Sequence, residues 1–167
     1  MRDKGAMTAC SRLAMVLVAA CISSGFVSFG KESILTVIVN SSNPIESISK
    51  AQLRALLMGD VDQWANKRQI TVVQREPTSQ AFQKTLRLIL HMTEAEYSRW
   101  LLQNEFRGRK PLLIKILNSD ESASKFVFNV PGAVAITDGV PSGSISSEIK
   151  IHRVDGKLPG DPAYAFK

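Results

Sequence analysis

The sequence predicts an α/β domain, a layered sandwich whose sheet is mostly parallel or mixed. Two observations predict this class. Short runs rich in Val and Ile alternate with longer stretches in which apolar residues recur every three or four positions. Turns containing Gly, Pro, Asn and Ser separate the two kinds of stretch. Because parallel strands need a long crossover, usually a helix, this alternation favours helices packed on a largely parallel sheet.

The first predicted strand covers residues 34–39 and ends in a polar turn at residues 40–44. A helix is predicted next, because Ser49 and Gln52 have the spacing of a capping box. Gly59 is placed to end that helix.

A second strand is predicted at residues 70–74, and residues 75–79 lead from it into a second helix. Apolar residues with helical spacing define the buried side of that helix: Phe82, Leu86, Ile89 and Leu90. His91 falls near its end. A third helix begins at Thr93, where Glu96 completes another capping box.

The remaining elements repeat the alternation. Residues 112–117 form a third strand, and Asn118 or Ser119 caps the helix that follows. Residues 133–137 form another buried strand, and residues 149–153, which include His152, alternate as an edge strand does.

Residues 1–30 have the composition of a secretory signal peptide. Three basic residues precede the uncharged, mostly apolar run at 13–29, and small residues near Gly30 suit cleavage there. We therefore expect an exported protein whose residues 31–167 form a single domain. An alternative is a lipoprotein signal, in which the acylated residue is Cys21 and the protein is anchored to a membrane.

Charge and cysteine content narrow the functional classes. The chain carries a formal net charge of +6, which falls to about +4 once the signal residues are removed. The basic residues are scattered, so they favour anionic ligands weakly and do not indicate nucleic acid binding. Both cysteines, Cys10 and Cys21, lie within the signal, so a mature chain starting at Lys31 has no disulfide and no cysteine metal site.

Residues 72–82 carry the strongest functional signal, because a strand there turns directly into a helix. The first amides of a helix have no helical acceptor, and the helix dipole attracts anions. Arg75, Thr78 and Ser79 add a guanidinium and two hydroxyls. Three positions after Thr78 stands Ala81, which has no side chain to occupy the free amides. The alternative is that Thr78 or Ser79 only caps the helix and Arg75 is a solvated surface charge.

These features resemble the phosphate-binding proteins of ABC uptake systems. The resemblance covers residues 34–136 and the tail at 154–164. It is carried by the turn 40–44, the helical segment 49–59, Trp64, the segment 70–79 and the segment 131–136. It implies one lobe of a type 2 periplasmic binding protein. In that family an arginine at the strand exit and a Ser-Gly-Thr helix start bind phosphate.

Carried over residue by residue, the resemblance matches Arg75 to the arginine and Ser79 to the serine. Together with Thr78 from the helix start and the backbone amides of Gln80 and Ala81, these residues form the expected phosphate site. Gln80 and Ala81 stand where the family has glycine and threonine, so one hydroxyl is absent and the approach is narrower.

The resemblance extends to only one of the two lobes that close around phosphate in this family. It implies that a second lobe, a second copy or an envelope partner protein completes the ligand shell. The other lobe of the family supplies an aspartate that accepts from protonated phosphate, and Asp138 is the nearest candidate in this chain.

We therefore expect a periplasmic, non-catalytic module that binds phosphate or a similar oxyanion, linked to phosphate uptake. The alternative function is a ligand-free interaction or sensory module of the cell envelope that keeps the lobe fold. The sequence predicts no enzyme, cofactor or metal: Ser122 and Lys125 have the S-x-x-K spacing without its companion motifs, and His91 and His152 lie far apart.

Overall fold

The computed structural model describes residues 34–107, 112–142 and 148–167. The signal peptide expected at residues 1–30, with its cleavage point and Cys21, lies outside the described residues. The described part contains four α-helices, a π-helical segment and seven strands, and these elements are β1 (Leu35–Asn40), β2 (Ser47–Ile48), α1 (Lys50–Leu57), β3 (Thr71–Arg75), α2 (Gln80–Thr85), the π-helical segment (Leu86–Leu90), α3 (Glu94–Phe106), β4 (Leu113–Leu117), α4 (Asp120–Asn129), β5 (Ala133–Asp138), β6 (Ile149–Ile151) and β7 (Arg153–Val154).

Five strands form one sheet in the order β4-β3-β5-β1-β6. The strands β3, β4 and β5 are parallel, and β1 is antiparallel to both of its neighbours. At the centre, Val72 of β3 lies opposite Ile114 of β4 and Val134 of β5. The expected α/β sandwich with a mostly parallel sheet is confirmed.

Helices cover both faces of the sheet, which explains why β1 is buried along its whole length and β5 along all but its last residue. In β1, Leu35, Val37 and Val39 belong to the core shared with α1, α2 and the π-helical segment. Ile38 faces the other way, into a smaller core with Ala123 and Val127 of α4. The alternation of side chains along a strand thus divides one strand between two cores.

Both predicted capping boxes are formed. The Ser49 hydroxyl accepts from the Gln52 amide at 3.1 Å, and the Gln52 side chain accepts from the Ser49 amide at 2.9 Å. Thr93 and Glu96 make the same reciprocal contact at the start of α3. There, hydrogen bonds from Thr93 hold the pKa of Glu96 below its ordinary value. Gly59, just beyond α1, has a φ of 69°, a conformation that glycine adopts easily.

The helix after Ser79 differs from the expected regular helix in its second half. After Thr85 it continues as a π-helical segment, which ends at His91 in a left-handed conformation with φ of 55°. The wider turn keeps Leu86, Ile89 and Leu90 buried. Helical spacing alone does not distinguish a π segment from an α-helix.

The edge strand predicted at residues 149–153 is two strands. Residues 149–151 pair with β1, whereas Arg153 and Val154 leave the sheet and pair in parallel with Ser47 and Ile48 of β2. His152, at the change of direction, is fully buried between them and not on a strand face. A change of partner strand depends on distant residues, so alternation could not indicate it.

The C-terminal tail packs against the first strand. The Leu35 amide donates to the Phe166 carbonyl at 3.0 Å, and the Tyr164 hydroxyl donates to the Leu35 carbonyl at 2.9 Å. Both aromatic rings are buried and meet edge to face. Tyr164 and Phe166 of the tail are therefore part of the core.

Candidate functional site

The carboxyl ends of the three parallel strands form one edge of the sheet. Arg75 ends β3, Leu117 ends β4 and Asp138 ends β5. The chain turns at this edge into α2 and α4, so both helices begin beside the strand ends. Ligands of α/β proteins bind in crevices outside the carboxyl ends of strands. This edge therefore contains the candidate site.

Arg75 lies at this edge with its guanidinium held on several sides. Its Nη1 forms an ion pair with Asp120. Its Nε donates to the Leu117 carbonyl at 3.3 Å, and its Nη2 donates to the Asn118 carbonyl at 2.7 Å. Only 12% of the Arg75 side chain is exposed. A guanidinium has five N–H donors, so these three contacts leave two for other acceptors.

Asp120 connects three elements. It lies in the first turn of α4 and pairs with Arg75 of β3. Its second carboxylate oxygen accepts from the Asp138 amide of β5 at 3.3 Å. Ser119 caps α4 by accepting from the Ser122 amide at 3.1 Å. Asp120 thus fixes the guanidinium in place and also compensates its charge.

Asp138 lies at the same edge as Arg75. Its backbone amide contacts Asp120, and one oxygen of its carboxylate is buried without a hydrogen-bond partner in the described structure. The edge therefore presents one guanidinium and two carboxylates, a combination that weakens the attraction of a free anion.

The predicted residues of the α2 start lie in different environments. Ser79 is the N-cap: its hydroxyl accepts from the Phe82 amide at 3.2 Å and donates to the Glu76 carbonyl at 2.7 Å. Thr78 is exposed at the surface, and Ala81 is buried. Gln80 is exposed and interacts with other residues. Ala81 contributes a first-turn amide that has no acceptor within the helix.

The structure thus places Arg75 and the start of α2 at one edge of the sheet. Sequence reasoning did not find Asp120, the residue that pairs with Arg75. The sequence did contain a signal for Asp120. Ser119 caps the helix that directly follows β4, and β4 is parallel to β3, so Asp120 lies at the same sheet edge as Arg75.

Other classes of site receive no support in the described ranges. They contain no group of three or more His, Cys, Asp or Glu residues arranged to hold a metal ion. None of their helices combines the length and the apolar character needed to cross a membrane.

Comparison with solved structures identifies proteins of similar fold. A putative phosphate ABC transporter substrate-binding protein with bound phosphate from Clostridium perfringens aligns with 75% of this chain at 15% identity and a TM-score of 0.59. An ABC-type phosphate transport receptor from Vibrio cholerae aligns with 76% at 20% identity and a TM-score of 0.58. PstS from Borrelia burgdorferi aligns with 76% at 17% identity and a TM-score of 0.61.

The alignments cover 46%, 48% and 49% of those three proteins, so this chain spans less than half of the length of each. No protein-family model and no curated protein sequence matches the chain. At these identities the similarity is one of fold. Within that limit, the chain has the α/β fold of a part of the phosphate ABC transporter substrate-binding proteins.

Proposed function

We propose that this chain is an exported, non-catalytic oxyanion-binding protein, linked to phosphate uptake, whose leading ligand is phosphate. The observation that carries this proposal is the position of Arg75. Its guanidinium is fixed at the carboxyl edge of the sheet, with two N–H donors beyond those used by Asp120 and the carbonyls of Leu117 and Asn118. A preorganised guanidinium loses little conformational entropy when it binds an oxyanion.

The surroundings of Arg75 add further donors. The adjacent start of α2 contains Thr78, the amides of Gln80 and Ala81, and Ser79, whose hydroxyl proton must leave the Glu76 carbonyl to reach an oxyanion. Both α2 and α4 direct their positive ends toward this edge. The solved structures of similar fold support the proposal, because their names describe phosphate-binding and phosphate-transport proteins.

The proposed site is one half of a ligand shell. The negative charge of Asp120 lowers the affinity, and an oxyanion on an open edge stays in competition with water. We therefore expect weak, salt-sensitive binding by the isolated chain. A second lobe, a second copy or an envelope partner would complete the shell.

Calorimetric titration with phosphate tests the proposal, with sulfate as the competing anion. Comparing Asp120→Asn with the double variant Arg75→Ala/Asp120→Asn isolates the guanidinium without leaving a carboxylate unpaired. Loss of Arg75 in that background should weaken binding by about 1.5–3 kcal/mol, the range of a charged hydrogen bond. Arg87→Ala is the matched control, because Arg87 is an exposed arginine on the π-helical segment.

Equal isotherms for the single and the double variant would remove Arg75 from the site. Absence of saturable heat from the wild-type protein would reject phosphate as a ligand of the isolated chain.

A ligand-free interaction or sensory module is the second candidate function. One observation favours it: the Arg75 charge is already compensated by Asp120, and the Ser79 hydroxyl is already used as a helix cap. Both groups would then have structural roles. Crosslinking in whole cells should in that case capture one envelope protein, and capture should survive replacement of Arg75. No captured partner would count against this function.

The proposal places the protein in the periplasm, with anchoring through Cys21 as the alternative. The mass of the mature protein distinguishes them. Cleavage after Gly30 gives a chain that begins at Lys31, whereas lipidation gives a chain that begins with an acylated Cys21. A mass that retains the intact N-terminus would contradict export by either route.

A further inference from the structure

His152 lies in the core at the point where the chain passes from β6 to β7. Its side chain is 0% exposed, and its backbone amide donates to the Val37 carbonyl of β1 at 2.9 Å. Neither ring nitrogen makes a hydrogen bond of good geometry in the described structure, although the Ile45 backbone lies close enough to favour the protonated ring. Buried polar atoms normally have partners, so an imidazole without one is an uncommon feature of a core.

A second unpartnered group lies in the loop that packs beside His152. Asn43 is 2% exposed, and its side-chain nitrogen also has no partner among the described residues. Lys150 binds this loop from β6, since its ammonium donates to the Asn43 carbonyl at 2.9 Å and to the Ile45 carbonyl at 3.5 Å. Within this loop the Asn43 side-chain nitrogen is therefore a buried group without a partner among the described residues, whereas the Asn43 and Ile45 carbonyls accept from Lys150.

Each element around His152 presents a different group to it. From β6 the Lys150 ammonium disfavours protonation of the ring, and from the loop the Ile45 backbone favours it. The indole of Trp64 meets the imidazole edge to face, with 6.2 Å between the ring centroids. The neighbouring charged residues Glu46 and Arg153 are exposed to solvent.

The same residues form the wall of a small cavity. Ile45 and Trp64, which both adjoin His152, line a cavity of about 240 Å³ together with Ile48 of β2 and other mostly apolar residues. The strand β7, which begins directly after His152, pairs with β2. The imidazole therefore lies behind both the cavity wall and the β2–β7 ribbon.

We propose that His152 is an acid-sensitive latch, whose protonation releases the 43–46 loop and the β2–β7 ribbon from the core and opens the cavity behind Trp64. This inference is independent of the proposed oxyanion site. Among the described residues, the charge that acts on an imidazolium here is that of Lys150, which repels it, while the neighbouring Glu46 is exposed to solvent. The free-energy cost of this buried charge falls when the loop moves and water reaches the ring.

The direction of the effect follows from the protonation equilibrium. Burial, aided by the Lys150 charge, lowers the pKa of His152 to about 4 from an ordinary value of 6.5. Between pH 6.5 and about 4, the His152 ring is therefore neutral in the closed state and protonated in the open state. Stability of the closed state is complete above pH 6.5 and declines as the pH falls toward 4, so the opening equilibrium should rise about tenfold per pH unit.

Hydrogen exchange of the full chain between pH 7.5 and 4 tests this proposal. The informative amides are those of Arg153 and Asp155, which donate to the Glu46 and Ile48 carbonyls. Their protection factors, corrected for intrinsic exchange, should fall about tenfold per pH unit below 6.5. Protection in the β3–β4 ladder should stay constant, which separates local opening from global unfolding.

His152→Leu should make the protection of Arg153 and Asp155 independent of pH, while His91→Gln, at an exposed histidine, should keep the wild-type dependence. Unchanged pH dependence in His152→Leu would overturn the proposal. If that variant does not fold, a wild-type measurement decides. Trp64 emission in a Trp100→Phe background must change over the pH range in which the His152 ring resonances titrate, and a change while His152 stays neutral would also overturn it.

Discussion

Arg75 and Asp120 form an ion pair that joins the end of β3 to the first turn of α4, across 45 positions of the chain. Asp120 also accepts from the Asp138 amide, so a single carboxylate connects the ends of β3 and β5 with α4. This contact determines how the proposed site works. It holds the guanidinium in one orientation, and it reduces the positive potential that an oxyanion would meet.

The first prediction concerns that compensation. Asp120→Asn removes the negative charge and keeps an oxygen that can accept from Arg75. Phosphate affinity should rise about three- to tenfold at low salt, because the guanidinium potential is no longer offset, and the gain should shrink as salt screens it. Stability should fall by about 1 kcal/mol, since a partly exposed ion pair contributes modestly. Calorimetry and urea unfolding measure the two effects.

Glu121→Gln is the matched control, because it removes the same charge at the next residue of α4. Glu121 pairs with Lys125 and not with Arg75. Its affinity change should stay below about twofold, as for a screened surface charge. Equal gains in the two variants would mean that only net charge matters and that the Arg75 contact does not.

The second prediction concerns the cap of α2. Ser79→Ala removes the acceptor for the Phe82 amide and should lower the free energy of unfolding by about 1 kcal/mol, the usual loss for a helix cap. If Ser79 also binds the oxyanion, phosphate affinity should decrease in the same variant. Thr78→Ala should change stability by less than about 0.5 kcal/mol, because Thr78 is exposed and does not cap the helix.

Affinity that decreases in Thr78→Ala but not in Ser79→Ala would assign the ligand hydroxyl to Thr78. No change of affinity in either variant would remove both hydroxyls from the site.

The parts of the fold that could be predicted from sequence depend on local interactions. The capping boxes Ser49/Gln52 and Thr93/Glu96 lie within single turns, and both are present as expected. The end of β3 and the start of α2 were likewise indicated by neighbouring residues. A pattern of four or five adjacent residues contains all the physical information that such features need.

The unpredicted features depend on contacts between distant residues. Asp120 pairs with Arg75 only because β3 and β4 are parallel neighbours, and the antiparallel direction of β1 depends on its pairing with β5. The alternation at residues 149–153 predicts one edge strand that includes His152, because alternation does not show where an edge strand changes partners. Such features can be predicted only when the order and the directions of the strands are already known.

The third prediction concerns the C-terminal tail. Phe166 is 1% exposed, and its backbone carbonyl binds the amide of Leu35, so Phe166→Ala should lower the free energy of unfolding by about 3–5 kcal/mol. Phe106 provides the control, because this residue is 87% exposed and Phe106→Ala should cost less than about 0.5 kcal/mol. Urea unfolding followed by circular dichroism measures both. Similar losses would mean that the tail is not part of the core.

The fourth prediction concerns Gly132, which precedes β5 and whose carbonyl accepts from the Trp64 indole at 3.0 Å and from the Thr71 amide at 3.1 Å. A Cβ atom at this position would lie 2.1 Å from the carbonyl oxygen of Gln69. Because that oxygen belongs to the backbone, Gly132→Ala must displace one strand end, and it should cost at least about 2 kcal/mol. The displacement should also shift Trp64 emission in the Trp100→Phe background.

Gly139→Ala separates crowding from backbone strain. Gly139 has a φ of 96° and open space around its Cβ position, so its replacement should cost only about 1–2 kcal/mol through the backbone conformation. It should leave the Trp64 emission unchanged, because the described hydrogen bonds and ring contact of Trp64 are with Gly132, residues 67–68 and His152, outside this turn. If Gly132→Ala loses no more stability than Gly139→Ala and leaves Trp64 unaltered, the close approach of residues 69 and 132 does not constrain the fold. If only Gly132→Ala moves the Trp64 signal, that approach sets the position of the indole, and with it the wall of the cavity beside His152.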